Sequence, residues 1–292
     1  MSWLVLALAC ALLLASADAL TKRTLSSYAG PELTLLRFGY TGLVLSPLFV
    51  TFPFGSVPGE FWLWIAAAIP VELLANVLYM SAIRSAPLSV TLPYLAFTPV
   101  LVVLSGRLIV GETISLGGFA GISLVVAGAF WLNLEPPTDG GARRWLDPFR
   151  AFARTRGSQQ MLGAAALYAV TSAIGKHMLS YVSGMRFAGL YYGLLGLSAL
   201  VLFGLTGLAR PRILFERPKW KVAAGLLLAG NILTHFEGLA LVEVAYFIAV
   251  KRVSLLFGIA YGALLFGERS GVRHLLAGCV MVAGAALIVL AG

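Results

Sequence analysis

The sequence predicts an all-α integral membrane protein, with ten transmembrane helices arranged as two inverted-topology five-helix repeats. Three observations carry this prediction. Of 292 residues, 60% are hydrophobic and only 11% charged, with a mean hydropathy of +0.92. A soluble domain carries about 25% charged residues. Ten runs approach the ~20 apolar residues that a spanning helix needs. The second half of the chain repeats the first at a nearly constant offset. A globule this apolar has too little polar surface to face water, which excludes an ordinary soluble enzyme, a disordered chain and a disulfide scaffold. The net charge of +9 reads as basic loops beside anionic lipid, not as a nucleic-acid footprint, because the charges sit between the apolar runs.

In order, the runs are 3–21, 33–50, 61–83, 88–110, 114–134, 159–182, 187–208, 222–242, 244–266 and 273–291. None alternates apolar and polar residues as a barrel strand does, so each is a helix. The first run ends near Ala15-Ser16-Ala17, which resembles a leader cleavage site. It is read as a retained span, because no Lys or Arg precedes it and the repeat holds a second copy of it. The joints carry breakers: Ala29-Gly30-Pro31, Pro53-Phe54-Gly55-Ser56, Ala86-Pro87, Gly111-Glu112, Gly184, Arg210-Pro211-Arg212 and Gly267-Glu268. Residues 135–158 hold Pro136, Pro137, Gly140, Gly141 and five arginines. That linker divides the repeat 1–134 from the repeat 159–292. Within the runs, Pro93 and Pro99 predict a kink in the fourth. Gly258 and Gly262 predict a face open to close helix approach, and Gly117 and Gly121 predict packing between or within subunits, so a monomer and a homodimer are both open. Cys10 and Cys279 read as small hydrophobes, with no metal spacing around them.

At an offset of 154, Ala19, Lys22, Leu25 and Ser26 meet Ala173, Lys176, Leu179 and Ser180, and Gly39 and Gly42 meet Gly193 and Gly196. At an offset of 156, Gly106, Leu108, Gly111 and Glu112 meet Gly262, Leu264, Gly267 and Glu268, and Val126-Ala127-Gly128-Ala129 meets Val282-Ala283-Gly284-Ala285. Five is odd, so the second copy enters the membrane upside down relative to the first. Many secondary transporters are built this way and use it for alternating access.

Fifteen Lys and Arg follow odd-numbered runs, while only Arg107 and Arg186 follow even-numbered ones. The positive-inside rule then places the odd joints in the cytoplasm and both termini outside.

An ionisable group in hydrocarbon costs at least ~2.5–3.5 kcal/mol, so such residues point to a cavity or to a buried pair. Glu72, Asn76 and Tyr79 share one face of the third run, after Pro70. They predict a substrate-binding wall with a titratable carboxylate. Asn231, Thr234, His235 and Glu237 form a polar arc on the eighth run, where Asn231 and His235 are substrate candidates. Glu72 and Glu237 are the candidate proton-coupling groups. Lys251 and Arg252 lie deep in the ninth run. They either attract an anionic group of the substrate or pair with Glu243, Glu237 or Glu72. Lys251 shares a face with Ser254, Gly258 and Tyr261. Tyr94 and Thr98 flank the kinked part of the fourth run, with Tyr94 a further substrate candidate. Lys22 and Lys176 read as lipid-facing, Asp18 as an intrahelical partner of Lys22, and Arg37 as a partner of Glu32 or an interface residue. The Gly-Glu joints read as structural caps. No P-loop, zinc-protease or nucleophile-elbow motif occurs, and His177, His235 and His274 are scattered over three runs. The chain is therefore expected to be no enzyme and to need no cofactor or metal.

Five plus five short spans, the Gly-Glu joints, and Phe266-Gly267-Glu268-Arg269 followed by Val282-Ala283-Gly284 together resemble the EamA family of the drug/metabolite transporter superfamily. The resemblance implies carriers that export amino acids and other metabolites, import some nutrients or move nucleotide sugars. It also implies a central cavity lined by the third, fourth, eighth and ninth spans with parts of the first and sixth. The expected function is a secondary transporter of a small metabolite or drug in a bacterial inner (plasma) membrane, driven by protons or by exchange. The substrate class is an amino acid or other anion-bearing solute. A lipid or lipid-linked sugar flippase of the same fold is the alternative, and a non-transporting subunit or intramembrane enzyme is a third. Family members more often keep both termini in the cytoplasm, against the charge count above.

Overall fold

The computed structural model describes residues 2–85, 94–132, 156–216, 218–266 and 272–291. Within them every ordered element is helical. The helices are α1 (Trp3–Leu25), α2 (Gly30–Phe49), α3 (Gly59–Ser85), α4 (Thr98–Ile109), α5 (Leu116–Leu132), α6 (Arg156–Met178), α7 (Gly184–Thr206), α8 (Pro218–Leu239), α9 (Val244–Lys251), α10 (Ser254–Phe266) and α11 (Val272–Ala291), with a 3-10 turn at Pro211–Phe215. Among the described residues five stretches are long and apolar enough to cross a membrane: Trp3–Leu25, Gly59–Arg84, Gly184–Thr206, Pro218–Leu239 and Val244–Gly262. Leu43, Leu63, Leu104 and Leu205 are exposed on the outside of the helices. Water would penalise so much apolar surface, whereas a bilayer is its natural solvent.

Local chemistry sets the boundaries. Lys22 and Arg23 sit in the last turn of α1, against its negative dipole end. At the start of α2, Pro31 needs no helical N–H, and Glu32 Oε2 accepts the Ala29 N–H at 2.8 Å. Pro99 likewise sits in the first turn of α4, after a turn at Ala96–Phe97. The ninth run, expected to be one helix, is broken at Arg252–Val253, where N–H groups reach back only three residues, Arg252 to Ala249 and Val253 to Val250. No proline causes this. The break lies 156 residues after the one at Ala96–Phe97, so both copies interrupt the same helix at the same position. Pro93 lies outside the described residues.

The halves interlock. α1 packs along α8 and α3 along α6, while α2 pairs with α7 and α5 with α11. Exchanging the halves maps this set of pairs onto itself. The glycines repeat the pattern in detail. A Cβ on Gly42 would stand 2.6 Å from the Tyr192 carbonyl oxygen, and one on Gly196 would stand 2.9 Å from that of Phe38. A Cβ on Gly128 would meet the Ala277 carbonyl at 2.9 Å, and one on Gly284 that of Gly121 at 2.7 Å. Gly117 and Gly121 also pack within the chain, against Ala291 and Ile288. Among the described residues nothing lies within 4 Å of the Cβ position of Gly258, so none of the described helices packs there.

Several buried charges have partners other than those the sequence suggested. Asp18 is bound to Arg37 at 2.9 Å, not to Lys22, and Arg37 is thereby not the partner of Glu32. Lys176 turns inward, away from lipid. Its ammonium caps α8 through the carbonyls of Leu239 at 2.7 Å and Val242 at 2.9 Å, and it stands 3.9 Å from Glu112. Glu112 Oε2 accepts the Val244 N–H at 2.9 Å, so the first Gly-Glu joint caps α9 of the other half. Lys221, counted among the loop charges, is fully buried between the carbonyls of Ile213 and Glu216 and the ring of Tyr28.

Candidate functional site

A cavity of about 110 Å³ lies where the two halves meet. From the first half, α2 brings Arg37 and Thr41, and α3 brings Glu72, Asn76 and Tyr79. From the second, α6 brings Tyr168, α7 brings Tyr191 and Tyr192, α8 brings Asn231 and His235, and the broken ninth run brings Lys251 and Arg252. The turn between α9 and α10 puts Arg252 on the wall beside Lys251, although adjacent residues of an unbroken helix would point about 100° apart.

Seven of the eight substrate candidates named from sequence line this cavity. Glu72 is buried beside the Thr171 hydroxyl and within the electrostatic reach of Lys251 and Arg37. Asn76 donates from Nδ2 to the Tyr168 hydroxyl at 3.0 Å. The Tyr79 hydroxyl donates to Asp18 Oδ2 at 2.8 Å. Asn231 turns its amide to Cys10, donating to the carbonyl at 2.7 Å and to the sulfur at 3.0 Å. Cys10 is therefore part of a polar lock between α1 and α8, more than a small hydrophobe. Lys251 Nζ lies 3.4 Å from His235 Nδ1. With Lys251 as an ammonium, which has only donors, Nδ1 is the acceptor of this contact. Edge contacts with Phe236 and Phe247 hold that ring.

Two residues fall elsewhere. Tyr94 is not among the lining residues; it is buried behind the wall, in an apolar cluster with Leu25, Leu33 and Met161 that also holds the lining residues Tyr79 and Leu95. Glu237 lies at the end of α8, one residue past the last cavity-lining turn. Its Oε1 accepts the Met185 N–H at 2.8 Å, which caps α7. It is a helix cap and not a neighbour of Glu72.

The sequence reading missed Arg37, Thr41, Tyr168, Tyr191 and Tyr192. The repeat pairs Arg37 with Tyr191 and Tyr168 with Leu14, none of them a named candidate, so no candidate led to the missed residues. Adding the offset to a lining residue of one half lands on a lining residue of the other: Leu14 on Tyr168, Arg37 on Tyr191, Glu72 on Leu228, Asn76 on Ile232, Tyr79 on His235 and Leu95 on Lys251. The cavity straddles the relation between the halves.

Its walls also hold unmet hydrogen-bonding capacity. Among the described residues, five buried side-chain polar atoms have no partner. Four of them, Thr41 Oγ1, Asn76 Oδ1, Tyr191 OH and Arg252 Nε, belong to residues of this cavity. Such groups are costly without a partner, and a bound solute supplies one.

The profile of the EamA-like transporter family matches residues 1–134 and again residues 155–290. The chain belongs to the EamA-like transporter family. This family is part of the drug/metabolite transporter superfamily, and a multi-pass membrane protein is what its apolar helices describe. One solved crystal structure aligns with 99% of this chain and 99% of its own, at 19% identity and a TM-score of 0.71. At that identity the likeness is one of fold. No curated protein matches the chain.

Proposed function

We propose that this EamA-like protein is a secondary transporter. It moves a small metabolite bearing an anionic group, an amino acid among them, by alternating access between two inverted five-helix halves. The observation that carries this reading is the set of four unpartnered polar atoms on residues that line a cavity built from repeat-related positions of both halves. The symmetric exchange of helix pairs supports two states of similar energy, because each main helix pair of one arrangement has a counterpart in the other. Arg37, Lys251 and Arg252 outnumber Glu72 and Asp18, so the charged groups around the cavity sum to a positive excess that favours an anion.

In this reading Lys251, positioned by His235, and Arg252, with Nε free, hold the anionic group. Glu72 faces them and holds either a cationic group of the substrate or the coupled proton. In the same proposal ten spans cross a bacterial inner membrane; the distribution of Lys and Arg favours odd joints in the cytoplasm and both termini outside.

The test is uptake of a radiolabelled metabolite panel into proteoliposomes, with and without a pH gradient. Saturable uptake of an anionic or zwitterionic solute, abolished in Lys251→Ala, is the expected result. Transfer of a fluorescent lipid between leaflets with no solute uptake would overturn it in favour of a flippase. Uptake that responds to a pH gradient in the native protein but not in Glu72→Gln assigns the coupling carboxylate. Uptake indifferent to that substitution removes the assignment.

A further inference from the structure

Arg37 is held in an arrangement that its scaffold does not require. Its Nη1 donates to Asp18 Oδ1 at 2.9 Å, and the Tyr79 hydroxyl donates to the other oxygen of Asp18 at 2.8 Å. The guanidinium lies over the Tyr79 ring, 5.7 Å from its centre. Arg37 lines the central cavity, whereas Asp18 lines a neighbouring cleft that shares Leu14, Tyr79 and Leu95 with it. The pair thus stands at the partition between two spaces.

Three features set it apart from a structural salt bridge. Only one nitrogen of the guanidinium fork is bonded to the carboxylate among the described residues, although the strong form of this pair is bidentate. The Asp18 side chain retains 23% exposure, so it is not sealed in place. Most tellingly, the offset of 154 carries Asp18 to Ser172 and Arg37 to Tyr191. The second half puts no charge at either position, its two residues also line the cavity, and the Tyr191 hydroxyl has no partner. The same scaffold therefore stands without the ion pair. A buried pair adds little net stability, because desolvation offsets the attraction.

We propose that Arg37 is a carboxylate-binding subsite of the central cavity, and that Asp18 is an internal stand-in which a substrate carboxylate displaces. This rests on the reading of that cavity as the transport cavity. Displacement keeps the guanidinium paired at every stage, with Asp18 before the solute arrives and with the solute after. No stage then leaves an unpaired cation in the membrane interior. Asp18, half released toward the adjoining cleft and still bound to Tyr79, remains ready to take Arg37 back when the solute leaves.

The test is chemical rescue with formate, the smallest carboxylate. Asp18→Ala empties the place beside Arg37. The purified full chain is melted in sodium formate and in sodium chloride at matched ionic strength. The expected result is a saturable formate-specific rise of the midpoint by several degrees in Asp18→Ala. The native chain and the double variant Asp18→Ala with Arg37→Gln should show none. Recovery of folded Asp18→Ala only in formate is the stronger form of the same result. Identical melting in the two salts, or aggregation in both, overturns the proposal. So does an equal response in the double variant.

A second variant, Asp18→Ser with Arg37→Tyr, copies the residues of the other half. It is expected to fold, to melt near the native midpoint and to ignore formate. If it does not fold, the pair is holding helices together and the stand-in assignment falls. Formate rescue in a chain that moves no solute in proteoliposomes would keep the subsite and remove the transport reading, so the two failures are distinguishable.

Discussion

The two halves of this carrier agree in backbone and differ in chemistry. Both interrupt the same helix, at Ala96–Phe97 and at Arg252–Val253, and both press glycines against the partner's carbonyls at matched positions. Yet the cavity positions diverge at every matched pair. Glu72 faces a leucine counterpart in Leu228, Lys251 corresponds to Leu95, and Arg37 corresponds to Tyr191. The first half brings Glu72 and Arg37 to the cavity, and the second brings Lys251 and Arg252. Close approach and helix breaks are conditions on the scaffold, so both copies keep them. Charge complementarity to a solute needs different groups on opposite walls, so the copies part there.

The largest effects should come where the halves agree. Gly42→Leu and Gly196→Leu each drive a side chain into the opposing backbone, which cannot move aside as a flexible side chain does. Each is expected to cost ~3 kcal/mol or more and to abolish recovery of monodisperse protein. Near-native melting of either variant would break the symmetric interlock. The next effects sharpen the difference. Lys251→Ala should remove uptake of anionic solutes, while Leu95→Ala at the matched position should retain most of it. Equal losses would show that the two walls are not chemically distinct.

Smaller effects belong to the caps between elements. Lys176→Gln leaves Glu112 and two carbonyls without their charged donor, and should lower stability by about 1–3 kcal/mol, seen as a lower thermal midpoint. Glu237→Gln weakens one cap on α7. It should cost ~0.5–2 kcal/mol and leave solute affinity unchanged. A loss of proton-driven uptake in that variant would restore Glu237 as a coupling group. The smallest effect is expected for Tyr94→Phe, whose ring is not among those lining the cavity, and whose uptake kinetics should match the native chain.

Much of the cavity was legible in advance, because a polar residue inside an apolar run has few places to go. Glu72, Asn76 and Tyr79 share a helix face at intervals of four and three, and all three reach the wall. His235 and Lys251 were likewise marked by their depth. Glu237 shows the limit of that logic. It belongs to the same polar arc as His235, but two residues along a helix turn a side chain by about 200°, and the end of α8 brings it to the Met185 N–H instead. Arg37 escaped because it reads as a partner of Glu32 or an interface residue of an otherwise apolar helix.

Apolarity, helix length and the duplicated pattern are properties of residues in order along the chain, and from them the sequence by itself determined a helical membrane protein made of two copies. The tertiary structure alone decided which charges meet. Asp18 has a Lys at the i+4 position that would satisfy it within its own helix, and it binds Arg37 of the next helix instead. Lys176 and Glu112 cap helices to which neither belongs. Spacing along one helix fixes only which face a side chain shares. The partner it finds there depends on how two helices rotate and slide against each other, and that is set by the packing of every other residue between them.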